Sequence, residues 1–312
     1  MLRHLSRRAV LIVPTLLVVS LLTFVLVAIT PGDPAVRILG AGASPEQYAA
    51  LDQKLGLTNP IYSQYLHWLS GLVDGNLGVS LFTSQPVTTL LNQRLEVTLS
   101  LVIGATLVSL VIGVALGTLA ATLHGRLGSA VNTTSWLGFA IPNYWLGLVL
   151  ILVLAVKVHW FPATGYVPLG TDPWQWFRSL ILPVLTLSIV GITGIAKQTR
   201  DSMRDALRGE YITSLRASGF PARTQLRHAL RNASLPIVTS GGLFFVAMLG
   251  GTVLVEQVFV LPGLGGLAVQ AAGDHDLPVL EGVVVYFTVI VVVVNLAVDL
   301  SYSWLNPKVR TQ

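Results

Sequence analysis

The side chains that could act together lie in one polar segment, residues 197–235, between two long apolar stretches. Basic residues recur there every three or four positions, which places them on one face of a helix. The first series is Lys197, Arg200, Arg204 and Arg208, and the second is Arg223, Arg227 and Arg231. No pairing of a nucleophile with a base accompanies them, so the spacing predicts a charged contact surface and no catalytic centre.

A short amphipathic helix is predicted between these two series, from Glu210 to Ala217. Gly219 is expected to end this helix, and Pro221 is expected to turn the chain. A short helix bounded by turns suits insertion into a groove on a partner protein. The alternative is a helix that lies on anionic lipid headgroups.

Few other residues suggest chemistry. Asp274, His275 and Asp276 resemble metal ligands in isolation, but no fourth ligand lies nearby, and the adjacent Gly273 and Pro278 predict a solvated turn. The sequence contains no G-x-x-x-x-G-K-[ST] phosphate-binding loop, no H-E-x-x-H, no G-x-S-x-G and no cysteine. The chain is therefore predicted to be neither an enzyme nor itself a nucleotide-binding protein.

The composition is typical of a membrane protein. Hydrophobic residues make up 53% of the chain and charged residues 11%, whereas a soluble domain is about 25% charged. Charge-free runs of membrane-spanning length occupy residues 9–29, 97–123, 127–156, 179–196, 232–255 and 282–298. They lack the alternation of barrel strands, so we predict an all-α polytopic membrane protein with about six transmembrane helices.

The distribution of charge predicts the orientation of these helices. Most basic residues fall in the segments that are cytoplasmic if both termini are inside the cell, including Arg126 and the polar segment 197–235. Residues 31–96 are then an extracytoplasmic segment. The net charge of +5 follows from this topology and does not indicate nucleic-acid binding.

The extracytoplasmic segment is expected to contain helices at residues 45–55 and 62–73, followed by turns at Gly75 and Gly78. Tyr62, Tyr65 and Trp68 share one face of the second helix. That face suits either an aromatic belt at the membrane interface or an external cap over the mouth of a pathway.

Within the predicted spans, Gly113 and Gly117 form a small-xxx-small pair that allows close helix packing. Pro142 is expected to bend the third span, which makes Asn143 and Tyr144 candidates for lining a pathway. The spans are predicted to lack internal ionisable residues, which argues against a secondary carrier driven by an ion gradient. The charges nearest to them are expected close to span ends, at Lys157, His159, Glu256, Glu281 and Asp299. The energy for transport is therefore expected to come from elsewhere.

The polar segment resembles the EAA loop of ATP-binding-cassette (ABC) importer permeases, in the branch that serves peptide uptake. The matching residues are Tyr211, Arg216, Ala217 and Gly219, then Arg227, His228, Ala229, Leu230, Arg231, Asn232, Leu235 and Pro236. The chain departs from that pattern at Thr213, Leu215 and Ser218. Further blocks agree in order along the chain, namely residues 31–34, 55–57, 64–65, 68, 75–78, 255–256, 259, 261–265 and 306–310. Within the 75–78 block the chain departs at Asn76, where the family usually has Asp.

The chain is thus identified as similar to the first-permease type of the dipeptide, oligopeptide and nickel transport family. The resemblance implies a type I ABC importer permease fold in a bacterial cytoplasmic membrane, forming one permease domain over residues 1–312. It implies a heterodimer with a second homologous permease, two ATPase subunits and an extracytoplasmic substrate-binding protein. ATP and magnesium would bind to the ATPase subunits, and no cofactor is expected in this chain.

The same resemblance implies which residues contact an ATPase subunit: Glu210, Tyr211, Arg216, Ala217, Gly219 and Phe220. Peptides are the expected substrate, with nickel, glutathione or haem as alternatives. A secondary carrier, a membrane-embedded hydrolase and a scaffolding protein remain rival functions.

Overall fold

A computed structural model of the chain describes residues 2–30, 32–40, 42–123 and 141–305. Apart from one antiparallel bridge between Val79 and Pro86, these residues form helices and connecting turns. In chain order the helices are α1 (Leu2–Ile29), α2 (Pro34–Leu39), α3 (Pro45–Leu55), α4 (Ile61–Val73), α5 (Val87–Thr122), α6 (Asn143–Leu150), a π-helical segment (Ile151–Lys157), α7 (Pro173–Leu207), α8 (Glu210–Ala217), α9 (Ala222–Val258), α10 (Leu264–Asp274) and α11 (Leu277–Leu305).

Four helices in the described part are long and apolar enough to cross a membrane: Val87–Thr122, Pro173–Leu207, Ala222–Val258 and Leu277–Tyr302. Two shorter apolar stretches, Val13–Ile29 and Asn143–Lys157, belong to the first and third predicted spans. The helical membrane fold is therefore confirmed. The remainder of the third predicted span, residues 127–140, lies outside the described residues.

Several sequence predictions lie beyond what the structure describes. They are Pro31 of the 31–34 block, Arg126 and the 306–310 block. The side chains of the first residues of α1 also lie outside the described part. The structure divides into two compact units, unit 1 (residues 1–96 and 262–292) and unit 2 (residues 97–261 and 293–312). The prediction of one permease domain stays a prediction.

Local signals in unit 1 set the ends of its short helices. Ser44 and Gln47 form a capping box at the start of α3, and Gly56 ends α3 in the left-handed conformation at φ 71°. The predicted helix at residues 45–55 is thereby confirmed, and the predicted helix at 62–73 is confirmed with one additional residue at its start. Gly75 and Gly78 adopt positive φ values, as expected for turns.

The aromatic face of α4 packs against α1. The Tyr65 ring lies edge-on to Phe24 with centroids 5.5 Å apart and stacks on Trp68 at 6.0 Å. The Tyr65 hydroxyl lies 3.0 Å from the Ser20 Oγ. Tyr62 is 71% exposed and takes no part in this packing. Two of the three aromatic residues therefore fix α4 within unit 1.

Two of the three residues of the turn at 274–276, His275 and Asp276, are buried, so the prediction of a solvated turn is wrong. Asp276 is 4% exposed, and its carboxylate accepts hydrogen bonds from the Ser80 Oγ at 2.5 Å and the Leu81 N–H at 3.3 Å. His275 adopts φ 59° and is also buried, while Asp274 pairs with Arg37 at 3.0 Å. Burial raises the pKa of Asp276. The turn joins α10 to α11, and its side chains contact residues of unit 1 that are distant in sequence.

The small residues of α5 allow close packing in unit 2, as predicted. A Cβ placed on Gly113 would lie 2.9 Å from the Ile195 Cβ, and one placed on Gly117 would lie 2.6 Å from the Thr199 Cβ. These distances leave no room for a larger residue. Glycine is therefore what lets α5 and α7 approach each other.

Pro142 stands immediately before α6, and the described part of the third span begins there as a helix at Asn143. Proline suits this place because it lacks the N–H that a helix interior would require. The predicted bend involves residues before 141, outside the described part. Asn143 is half-buried, and Tyr144 is 49% exposed.

Candidate functional site

The candidate site begins where α7 continues past its apolar span. This helix runs without a break to Leu207, so its charged end forms the predicted extension. Met203 on this extension is fully buried, and the Arg204 guanidinium donates to the Ala120 carbonyl at 3.4 Å. The extension is therefore held against α5 on one side.

Helix α8 occupies residues Glu210–Ala217, as the sequence predicted. Gly209 precedes it with an extended backbone at ψ 147°. The Tyr211 ring lies over Gly209, because a Cβ on that glycine would be 2.7 Å from the Tyr211 Cε1. A larger residue at position 209 would displace the ring. The start of α8 thus depends on a glycine that sequence reasoning did not single out.

One face of α8 is anchored in the core of unit 2. Ile212 is 1% exposed, and Leu215 on the next turn is half-buried. The core around Ile212 is made of Ala121, Ile195, Met203, Ala229, Ala233 and Ile237, which come from α5, α7 and α9. Burial of one such side chain stabilises a fold by about 1.5–3 kcal/mol. The apolar spacing of residues 212 and 215 was the signal for this anchor, which the sequence prediction missed.

The end of α8 requires Gly219. The Phe220 N–H donates to the Leu215 carbonyl at 3.0 Å, which closes the turn typical of a helix that ends on a left-handed glycine. Gly219 has φ 75°, and a Cβ there would meet nothing within 4 Å. The requirement is therefore for backbone conformation and not for space.

The opposite face of α8 is exposed. Tyr211 is 36% exposed and Phe220 48% exposed, and both lie close in sequence to the exposed Arg216. Glu210, Ala217 and Gly219 are exposed as well. All six residues predicted to contact a partner thus have accessible surface in one short stretch. Exposed aromatic residues with an arginine are typical of the residues that contribute most to protein–protein binding.

Helix α9 follows at once and holds Phe220 in place. The Gln225 side chain donates to the Phe220 carbonyl at 2.9 Å, a contact that no sequence pattern indicated. The helix runs from Ala222 to Val258 and includes Pro236. Arg223, Arg227 and Arg231 are exposed along it. The predicted basic series is therefore the first part of one long helix.

The prediction that Glu256 and Glu281 lie close to the ends of spans is confirmed, since Glu256 is two residues before the end of α9 and Glu281 is four residues after the start of α11. Glu256 lies within α9 and Glu281 within α11, and neither is more than 1% exposed. The Glu256 carboxylate accepts a hydrogen bond from the Thr98 Oγ1 at 2.7 Å. The helices extend beyond the charge-free runs, and these carboxylates are buried among protein atoms.

Comparison with known proteins identifies relatives of the whole chain. Residues 109–311 match the family described as binding-protein-dependent transport system inner membrane component, and residues 1–102 match the description of its N-terminal part. Both the candidate site and residues 31–96 fall within these matches.

Individual relatives cover nearly all of the chain. The probable peptide ABC transporter permease of Sinorhizobium fredii is 38% identical over 98% of this chain and 99% of its own length. The oligopeptide transport system permease AppB of Bacillus subtilis is 38% identical over 98% and 99%. The glutathione transport system permease GsiC of Escherichia coli is 36% identical over 99% of both chains.

A solved structure has the same fold. A chain of the MetNI methionine ABC transporter in an inward-facing conformation matches with a TM-score of 0.59 and 19% identity, covering 72% of this chain and 100% of that chain. An identity this low shows the fold alone. The membrane-spanning architecture of the described helices therefore has a known counterpart.

Proposed function

The chain belongs to the family of inner membrane components of binding-protein-dependent transport systems, and from that membership we propose that it forms half of the translocation pathway of an ATP-driven peptide importer. It is an ABC permease subunit of the bacterial inner membrane. The other half of the pathway would be a second, homologous permease. Two ATPase subunits would bind ATP and magnesium, and this chain would hold no cofactor.

The arrangement of α8 is the observation that carries this proposal. Tyr211 and Arg216 on α8, and Phe220 just after it, are accessible to a partner, while Ile212 fixes the buried face of α8 among the long helices of unit 2. A protein that moved α8 would therefore move the ends of those helices with it. Closure of an ATPase pair around ATP could bias two arrangements of the pathway in this way.

The peptide substrate follows from the relatives. Those named above are described as carriers of peptides, oligopeptides and glutathione, and glutathione is itself a tripeptide. Peptide import is accordingly favoured over nickel or haem import. Asn143 and Tyr144 are proposed to line the pathway, because they begin the helix that follows Pro142.

Substitution of Gly219 tests the coupling role. Gly219→Asp should abolish ATP-driven peptide uptake by the reconstituted complex, because an L-residue at positive φ costs about 1–2 kcal/mol and alters the end of α8. The matched control is Gly75→Asp in the extracytoplasmic segment, where φ is 76° and a Cβ also meets nothing within 4 Å. The control should keep uptake. Undiminished uptake by the Gly219 variant, with ATPase subunits bound, would refute the coupling role.

A further inference from the structure

Unit 1 contains a cavity that the coupling mechanism does not use. Its volume is about 520 Å³, within the range of roughly 300–1,000 Å³ typical of small-molecule sites. Residues from α3, α4 and the start of α11 line it, together with the turn that follows α4. Its polar lining includes Glu281, Trp68 and Lys54.

Glu281 is the most unusual residue of this cavity. It has no exposed surface, and among the residues that the structure describes, neither of its carboxylate oxygens has a hydrogen-bond partner. Leaving a buried carboxyl group without a partner is unfavourable, and strongly so when the group is ionised. A ligand that donates hydrogen bonds into the cavity would remove this penalty. The group best suited to do so is an ammonium, which carries a positive charge and several N–H donors.

Two further groups of the cavity, Trp68 and Lys54, are hydrogen-bond donors that suit an acceptor at the other end of the same ligand. The indole N–H of Trp68 is buried and has no acceptor within the described part of the chain. Lys54 lines the same cavity but is exposed, so its ammonium lies at the solvent side. A ligand carboxylate or carbonyl would accept from both.

Two of the amide side chains that line the cavity, Gln64 and Asn76, are already engaged. Gln64 donates to the carbonyls of Leu57 and Asn59 at 3.2 and 2.8 Å, and the Asn76 side chain accepts from the Gly78 N–H at 2.9 Å. These bonds hold the walls of the cavity. Glu281 and Lys54 can then select a ligand by charge and Trp68 by its N–H donor, beside the further polar lining residues Gln53, Asn59, Ser63 and His67.

We propose that this cavity binds a small zwitterion, an α-amino acid or dipeptide, whose ammonium group donates to Glu281 and whose carboxylate accepts from Trp68 and Lys54. The choice of ligand rests on the proposed function, since peptides are the substrate inferred there. The binding itself requires neither ATP hydrolysis nor a substrate-binding protein. The site would give the permease its own contact with substrate before transport.

Equilibrium binding of radiolabelled L-alanyl-L-alanine to the assembled transporter in lipid nanodiscs, without nucleotide or substrate-binding protein, tests the site. The dipeptide should bind the unmodified transporter. Its N-acetylated form, which lacks the ammonium, should bind at least about tenfold more weakly, as loss of a charged hydrogen bond implies. Glu281→Gln should weaken dipeptide binding to a similar extent and should abolish the discrimination against the N-acetylated form.

Two control variants separate charge recognition from general damage. Asp74→Asn changes an exposed carboxylate of unit 1 that does not line the cavity, and it should leave binding unchanged. Lys54→Gln should weaken binding of the dipeptide but not of its C-terminal amide. Should Glu281→Gln fail to assemble, the three ligands on the unmodified transporter still decide, because equal affinity for all of them overturns the proposal.

The outcomes separate failure of this binding site from failure of the proposed transport function. Dipeptide binding that depends on Glu281 supports the site even if the complex transports no peptides. Absence of dipeptide binding, or binding unaffected by Glu281→Gln, overturns the site even if the complex imports peptides when ATP is present.

Discussion

Tyr211 and Ile212 are neighbours in the chain, yet they face opposite surroundings. Ile212 is 1% exposed in the core of unit 2, whereas Tyr211 is 36% exposed beside Gly209. The α-helix turns by about 100° per residue, so one of two adjacent side chains can pack in the core while the other stays available to a partner. The two residues should therefore respond differently to truncation.

Tyr211→Ala should reduce ATP-driven uptake while leaving the stability of the purified chain nearly unchanged, because it removes an exposed contact. Ile212→Ala should lower the free energy of unfolding by about 2–5 kcal/mol, because it leaves a cavity in a packed core. Thermal unfolding and uptake, measured on both variants, check this contrast. Thr213→Ala, on the exposed face of the same helix, is the control for both measurements. A large loss of stability in the Tyr211 variant would contradict the assignment.

The residues of the candidate site could be predicted, but the residues that position them could not. Glu210, Tyr211, Arg216, Ala217, Gly219 and Phe220 were identified through resemblance to a known loop, and the structure places them on one accessible stretch. Their contact with an ATPase subunit stays a prediction. Gln225 and Gly209 were missed because their contacts, to a backbone carbonyl and to a ring, follow no periodic pattern.

At the scale of elements, helix bounds agreed with the sequence wherever a local signal marked them. Helix α3 begins at a capping box and α8 ends at a left-handed glycine, and both were predicted with their observed bounds. The turn at residues 274–276 was predicted to be solvated, but two of its three residues are buried. Its partner Ser80 lies 196 residues away in the chain, so no local pattern could indicate the contact.

The close approach of α5 and α7 gives a prediction at this scale. Gly117→Ala should lower the melting temperature of the purified chain, because the added Cβ would lie 2.6 Å from the Thr199 Cβ. The matched control is Gly250→Ala within α9, where a Cβ meets nothing within 4 Å. That change should be neutral or stabilising by up to about 1 kcal/mol, since alanine favours helix over glycine. Equal melting temperatures for the two variants would contradict the close packing.

At the scale of the whole molecule, composition and charge distribution predicted a helical membrane protein, and resemblance predicted its family. The positions of Glu256 and Glu281 near span ends were predicted, but their burial was not, because burial depends on packing between helices that a linear pattern does not show. Glu281 lies in the first turns of α11, where protein atoms and not lipid surround it. An ion-coupled carrier would also need such groups, so the energy source has to be measured.

The most direct measurement is peptide accumulation in proteoliposomes that contain this chain, its homologous permease, both ATPase subunits and the substrate-binding protein. Accumulation should require ATP on the side of the ATPase subunits and should persist when ion gradients are collapsed. Accumulation that proceeds without the ATPase subunits, or that disappears with the ion gradient while ATP is present, would contradict the account.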